Sequence, residues 1–76
     1  MMHAPAPLTS EGWLLTLFSA RAAREGGTVR RKIRDVERYV GREAFLAEMR
    51  RRGFSVVENG GQYVVFCNRE PIRRIL

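Results

Sequence analysis

Residues 54–58 (Phe-Ser-Val-Val-Glu) and 62–67 (Gln-Tyr-Val-Val-Phe-Cys) are two β-branched and aromatic runs on either side of Asn59-Gly60-Gly61. Asn-Gly between such runs is the strongest short-range hairpin signal, because both central turn positions need positive φ. A lone hairpin is marginal at best in water. It must therefore lay an apolar face on the rest of the chain, and the rest of the chain reads mostly as helix. With 76 residues in all, there is room for one small domain. That length excludes barrel enzymes, doubly wound nucleotide-binding domains and two-domain hydrolases. The 45% apolar and 29% charged content is that of a folded chain rather than a disordered one.

Three helices are expected before the hairpin. Thr9 or Ser10 offers an N-cap hydroxyl, Glu11 suits the first turn, and Trp13, Leu14, Leu17 and Phe18 recur at helical spacing. Gly26-Gly27 is a stop, so the first helix should cover 10–25. Val29, Ile33, Val36 and Val40 lie on one stripe of a second helix over 29–40. Residues 29–32 also fit a short strand, since β-branched residues tolerate both states. Phe45, Leu46 and Met49, between Gly41 and Gly53, predict a third helix over 42–52; Gly41 also fits a kink in one long bent helix. The expected fold is α+β: three helices followed by a two-stranded β-hairpin. Residues 1–9, with Pro5 and Pro7, read as a disordered lead-in, 10–68 as the single domain, and 69–76 as a short basic tail. Trp13, Phe18, Phe45 and Phe54 have core spacing, whereas Tyr63 on the hairpin is left open as a partner contact.

Catalytic and metal chemistry are poorly supplied. Cys67 and His3 are the only soft ligands, too few for a zinc site, and His3 falls in the lead-in. One cysteine makes no internal disulfide, so small secreted scaffolds fall away. Cys67 reads as a small buried hydrophobe on a strand. The carboxylates sit among arginines at helical spacing, which suits solvated ion pairs better than an acid–base dyad. No apolar run reaches the roughly 18 residues of a membrane span, and residues 1–10 lack a signal-peptide pattern. The expectation is a cytoplasmic, non-enzymatic chain with no cofactor.

Charge is the informative feature. Lys and Arg number 14 against 8 Asp and Glu, for a net +6. Lys32 is the only lysine. Residues 28–53 hold nine of the bases against Asp35, Glu37, Glu43 and Glu48. On a helix over 29–40, Arg30, Arg34 and Arg38 fall at i, i+4 and i+8 opposite the valine stripe, with Arg31 close by. Such like-charge neighbours repel, and a guanidinium row can meet successive phosphates. These residues are the first candidates for nucleic-acid contact, with Arg42, Arg50 and Arg51 behind them. The same row also fits a solvated face, and arginine in place of lysine also follows from a GC-rich coding background. Arg50, Arg51 and Arg52 also suit the negative end of a helix dipole. Asn59-Gly60-Gly61 is most simply a turn, although a glycine turn also lets backbone approach a phosphate.

The pattern resembles a winged helix-turn-helix domain over about residues 10–67. Leu14, Leu17 and Phe18 match the first helix, Gly26-Gly27-Thr28 the break, residues 33–41 the helix entering the turn, 42–52 the second helix and 54–66 the wing. The resemblance implies a small DNA-binding transcriptional regulator, with DNA preferred over RNA. Residues 41–45, 51–54 and 58–62 are also similar to short bacterial chains, some labelled phosphoribosylanthranilate isomerase. That enzyme is a barrel of about 200 residues or more, which this length rules out. The alternative function is a non-enzymatic adaptor or subunit that binds an acidic protein partner, or forms a homodimer through the exposed hairpin edge.

Overall fold

Thr9 opens the first helix: its hydroxyl accepts from the Gly12 N–H at 2.9 Å. The computed structural model describes residues 9–76, so the expected lead-in lies outside the described residues apart from Thr9. Helix α1 covers Ser10–Ser19 and helix α2 covers Arg21–Arg24. The single helix expected over 10–25 is thus divided. Ser19 turns its hydroxyl back on the Thr16 carbonyl at 3.1 Å, and the Ala20 N–H closes a tight bond to Leu17 O. Ala20 then becomes extended, with φ −59° and ψ 143°. Serine competing for backbone in this way is a known source of helix ends. The break lets Ala20 and Ala23 pack against the core.

The larger correction concerns residues 28–40. Thr28–Lys32 is strand β1, and only Ile33–Tyr39 is helical, as α3. With β2 at Ser55–Asn59 and β3 at Gln62–Phe66, the expected two-stranded hairpin is a three-stranded antiparallel sheet of order β1-β3-β2. The hairpin alone would leave one edge of β3 unpaired; β1 fills it, with Val29 opposite Val65 and Lys32 opposite Gln62. The stripe of Val29, Ile33, Val36 and Val40 therefore never forms one helix face. Val29 enters the core from a strand and Val36 from α3, while Ile33 and Val40 are half-buried.

Helix α4 occupies Arg42–Arg52, as the glycine bracket predicts. Gly53 ends it in the left-handed conformation, and the Phe54 N–H reaches back to Met49 O at 2.9 Å. Gly41 is a true break, not a kink. Its φ of 97° and ψ of 142° lie where side-chain-bearing residues are strained. A Cβ there would meet nothing within 4 Å, so the strain is purely in the backbone. Gly41→Ala is expected to cost about 1–3 kcal/mol, read as a lower denaturant midpoint at unchanged slope. An unshifted midpoint would mean that the α3–α4 corner relaxes to negative φ.

The core lies between the helices and one face of the sheet. Phe45 is at its centre, fully buried, with its ring stacked on Tyr63 at 5.3 Å and edge-on to Trp13 at 6.4 Å. Trp13 stacks in turn on Tyr39. Phe18 and Phe54 meet edge-on at the margin. Tyr63 is therefore a core residue, not an exposed platform: strand alternation turns it inward with Val65. The same alternation puts Arg30, Lys32, Gln62 and Val64 on the outer face. No helix among the described residues is long and apolar enough to cross a membrane.

Candidate nucleic-acid interface

The hairpin turn stands beside three bases, Arg30, Lys32 and Arg34. Gly60 and Gly61 have φ of 60° and 74°, the paired positive values of a two-residue tight turn, so the central pair is Gly-Gly and Asn59 is the last residue of β2. The Gly61 carbonyl accepts from the Ile33 N–H at 3.0 Å, so the turn is tied to the point where β1 passes into α3. Lys32 and Arg34 stand on either side of that junction. Together with Gly60, Gly61 and Gln62 they line an open depression of about 370 Å³. No carboxylate lines it.

Arg30 completes the cluster from the outer face of β1. Its Nε donates to Gln62 Oε1 and its Nη2 to Asn59 Oδ1, both at 2.7 Å. Both partners are neutral amides. They fix the guanidinium beside the turn without cancelling its charge. Among the described residues, the ion pairs are Arg21–Glu25, Arg51–Glu48 and Arg52–Glu48, and none involves Arg30, Lys32 or Arg34.

The other candidates are dispersed. The row at i, i+4 and i+8 does not exist, because Arg30 is on a strand; only Arg34 and Arg38 keep their spacing, on α3. Arg31 is half-buried and donates to the Arg30 carbonyl. Arg38 lies over the Tyr39 ring at 5.4 Å. Arg42 donates to the Tyr63 hydroxyl at 3.0 Å, which anchors it to the core aromatic stack. Arg50 is exposed at the other end of α4, beside a groove lined by Leu46, Met49, Phe54 and Val56.

Arg51 is compensated already. Its guanidinium and that of Arg52 both hold Glu48, at 2.6 and 2.8 Å, three and four residues away. Hydrogen bonds from Arg51, then Arg52, lower the Glu48 pKa to about 2. Arg52 also lies flat on the Phe18 ring, 3.6 Å from its centroid. These pairs brace the end of α4.

Lys32 is the site residue that the arginine-centred reading missed. Its place follows from pairing with Gln62, and that pairing is visible only once residues 28–32 are a strand. The available signal was the unpaired hairpin edge together with the β-branched start of that segment.

No group of three or more His, Cys, Asp or Glu side chains that could hold a metal lies among the described residues. Cys67 is buried at 5% exposure, and burial pushes its thiol pKa up. A maleimide or disulfide reagent should therefore label the native protein far more slowly than the unfolded chain. Equal rates would place the thiol at the surface and reopen a redox role.

Compared with family models, curated proteins and solved structures, the chain matches none.

Proposed function

We propose that the protein is a small nucleic-acid-binding module of winged-helix type, with duplex DNA as the preferred partner. The observation that carries this is the set of Arg30, Lys32 and Arg34 around a glycine turn, none of them in an ion pair among the described residues. Guanidinium and ammonium groups set around such a turn suit phosphate oxygens, and glycine lets the backbone come close.

The order of elements supports the winged reading. A helical start is followed by a strand, two helices with Val40-Gly41 between them, and a hairpin whose sheet takes in the first strand. In that arrangement α4 is the helix offered to a groove and α3 the helix that crosses the backbone. Arg34 and Arg38 on α3, and Arg42 at the start of α4, then continue the phosphate track from the turn. Phosphate contacts of this kind supply affinity and register without reading sequence.

The test is binding to random-sequence duplex DNA from about 50 to 200 mM salt. Each neutralised phosphate contributes roughly 0.9 to the slope of log affinity against log salt. Three to five contacts predict a slope of about −3 to −5. A flat salt dependence, or no binding at low salt, would overturn the reading in favour of an acidic protein partner.

A further inference from the structure

The helices cover one face of the sheet, the face that carries Tyr63 and Val65. Val64 points the other way, and although it is buried it takes no part in the helix-packed core. Half-buried Phe66 shares that outer face by alternation and also stands outside the core. Val57, paired with Val64 across the hairpin, is exposed beside them. The outer face thus holds an apolar strip of its own, ending in one aromatic ring.

Charge on this face has a single sign. Strand alternation turns three positions outward on each of the three strands. Two of them are cations, Arg30 and Lys32, and none is a carboxylate. Glu58, the one acid on the strands, stands opposite Tyr63 and so belongs to the helix side. Apart from the cations and the apolar strip, the outward side chains are amides and hydroxyls.

Arg30 crosses the sheet. It starts on β1, passes Gln62 of β3 and reaches Asn59 of β2, bonding both side-chain amides at 2.7 Å. A guanidinium donates its hydrogen bonds in its own plane. The two bonds therefore set the orientation of that plane and leave its solvent-side face uncovered. A guanidinium plane held in this way stacks on a base as an aromatic ring does, and its charge attracts the neighbouring phosphate. Gln62 and Phe66 are the two ends of β3, about 14 Å apart at the rise of a strand. A ring at one end, a guanidinium plane at the other and amides and hydroxyls around them suit bases that have been splayed out. An intact duplex offers only base edges in its grooves.

We infer that the outer face of the sheet binds single-stranded nucleic acid, with bases laid on Phe66 and on the Arg30 guanidinium and with phosphates at Lys32 and Arg34 beside the turn. The inference rests on the nucleic-acid reading above and adds to it the form of the strand and the residues that meet its bases. A second copy is a poor occupant, because face-to-face pairing would bring Arg30 and Lys32 of both chains together. An acidic peptide would answer the charge but would leave the ring and the guanidinium face without a planar partner.

Fluorescence anisotropy with oligothymidine and oligouridine of about twelve nucleotides, and with a random duplex of the same length, tests it. Three phosphate contacts predict a single-strand salt slope of about −2. Phe66→Leu keeps the apolar bulk and removes the ring. It should weaken single-strand binding at least about fivefold, the lower bound for one base–aromatic stack, and leave duplex binding and the salt slope unchanged. Arg30→Lys keeps the charge and removes the plane. It should weaken single strands at an unchanged slope, and because Arg30 is exposed the loss is not one of folding. No binding of either form at low salt would overturn the nucleic-acid reading and this inference with it. Duplex binding without single-strand binding, or single-strand binding that ignores both variants, would overturn this inference alone. So would polyglutamate that competes as well as oligothymidine, since the face would then take acidic chains in general.

Discussion

Phe45→Ala is expected to leave much of the protein unfolded at room temperature or a little above it. Removing a buried Phe costs about 3–5 kcal/mol, through lost transfer energy and the cavity left behind. Domains are stable by roughly 0.05–0.15 kcal/mol per residue, which for 76 residues is about 4–11 kcal/mol. The loss is thus a large share of the whole. Phe45 is fully buried and joins three elements, with Tyr63 of β3 on one side and Trp13 of α1 on the other. Its removal also takes away the ring that supports Tyr63, whose hydroxyl accepts from Arg42. In a domain of this size each kcal/mol shifts the melting temperature by about 4–8 °C, so a fall of at least about 12 °C should be seen. Phe54→Ala is the comparison: that ring is half-buried at the margin and should cost clearly less. A shift under about 4 °C for Phe45→Ala would mean that the centre of the core lies elsewhere.

The parts of this fold that were legible in the sequence are those set by local chemistry. A turn was legible in Asn59-Gly60-Gly61, although the two positive-φ positions are Gly60 and Gly61 while Asn59 ends β2, and the flanking β-branched runs pair across it. Gly41 and Gly53 bracket α4 because both adopt conformations that other residues resist. β1 was ambiguous for a physical reason. A stripe at spacings of four, three and four satisfies a helix, while a strand needs partners that lie 30 to 38 residues away, Val65 for Val29 among them. Local pattern contains no term for that partner; only the need to close the edge of β3 does. The break at Ala20 was illegible because nothing in the residue types there resists a helix; it coincides with the Ser19 hydroxyl bonding back to Thr16 O and the Ala20 N–H to Leu17 O. In the site, charge was legible but position was not. Strand pairing, not helical periodicity, brings Arg30 and Lys32 beside the turn, and the Ile33–Gly61 hydrogen bond brings the start of α3 with Arg34 to its other side. Arg51, which the dense charge also singled out, is held by Glu48 at a spacing visible in the sequence.

Replacing Arg30, Lys32 and Arg34 together with Gln is expected to remove two to three phosphate contacts and leave the fold intact. All three side chains are exposed, where such changes alter stability by about 0.5 kcal/mol or less. Gln at position 34 keeps nearly the helix propensity of Arg. Near 0.1 M salt the loss of two to three contacts should lower affinity for duplex DNA by about a hundredfold or more, and it should reduce the salt slope by about 2–3. The weakening should be alike for all sequences, because phosphates carry no sequence information. The control is Arg21→Gln with Arg24→Gln on α2. Arg21 is already bonded to Glu25 at 2.9 Å, and neither residue lies at the turn, so that variant should keep nearly the full slope. If both variants bind equally well, the cluster is only a solvated patch and the nucleic-acid reading loses its support. If the triple variant keeps its salt slope but no longer distinguishes one sequence from another, the cluster reads base edges. The hairpin turn, rather than α4, would then be the element seated in a groove.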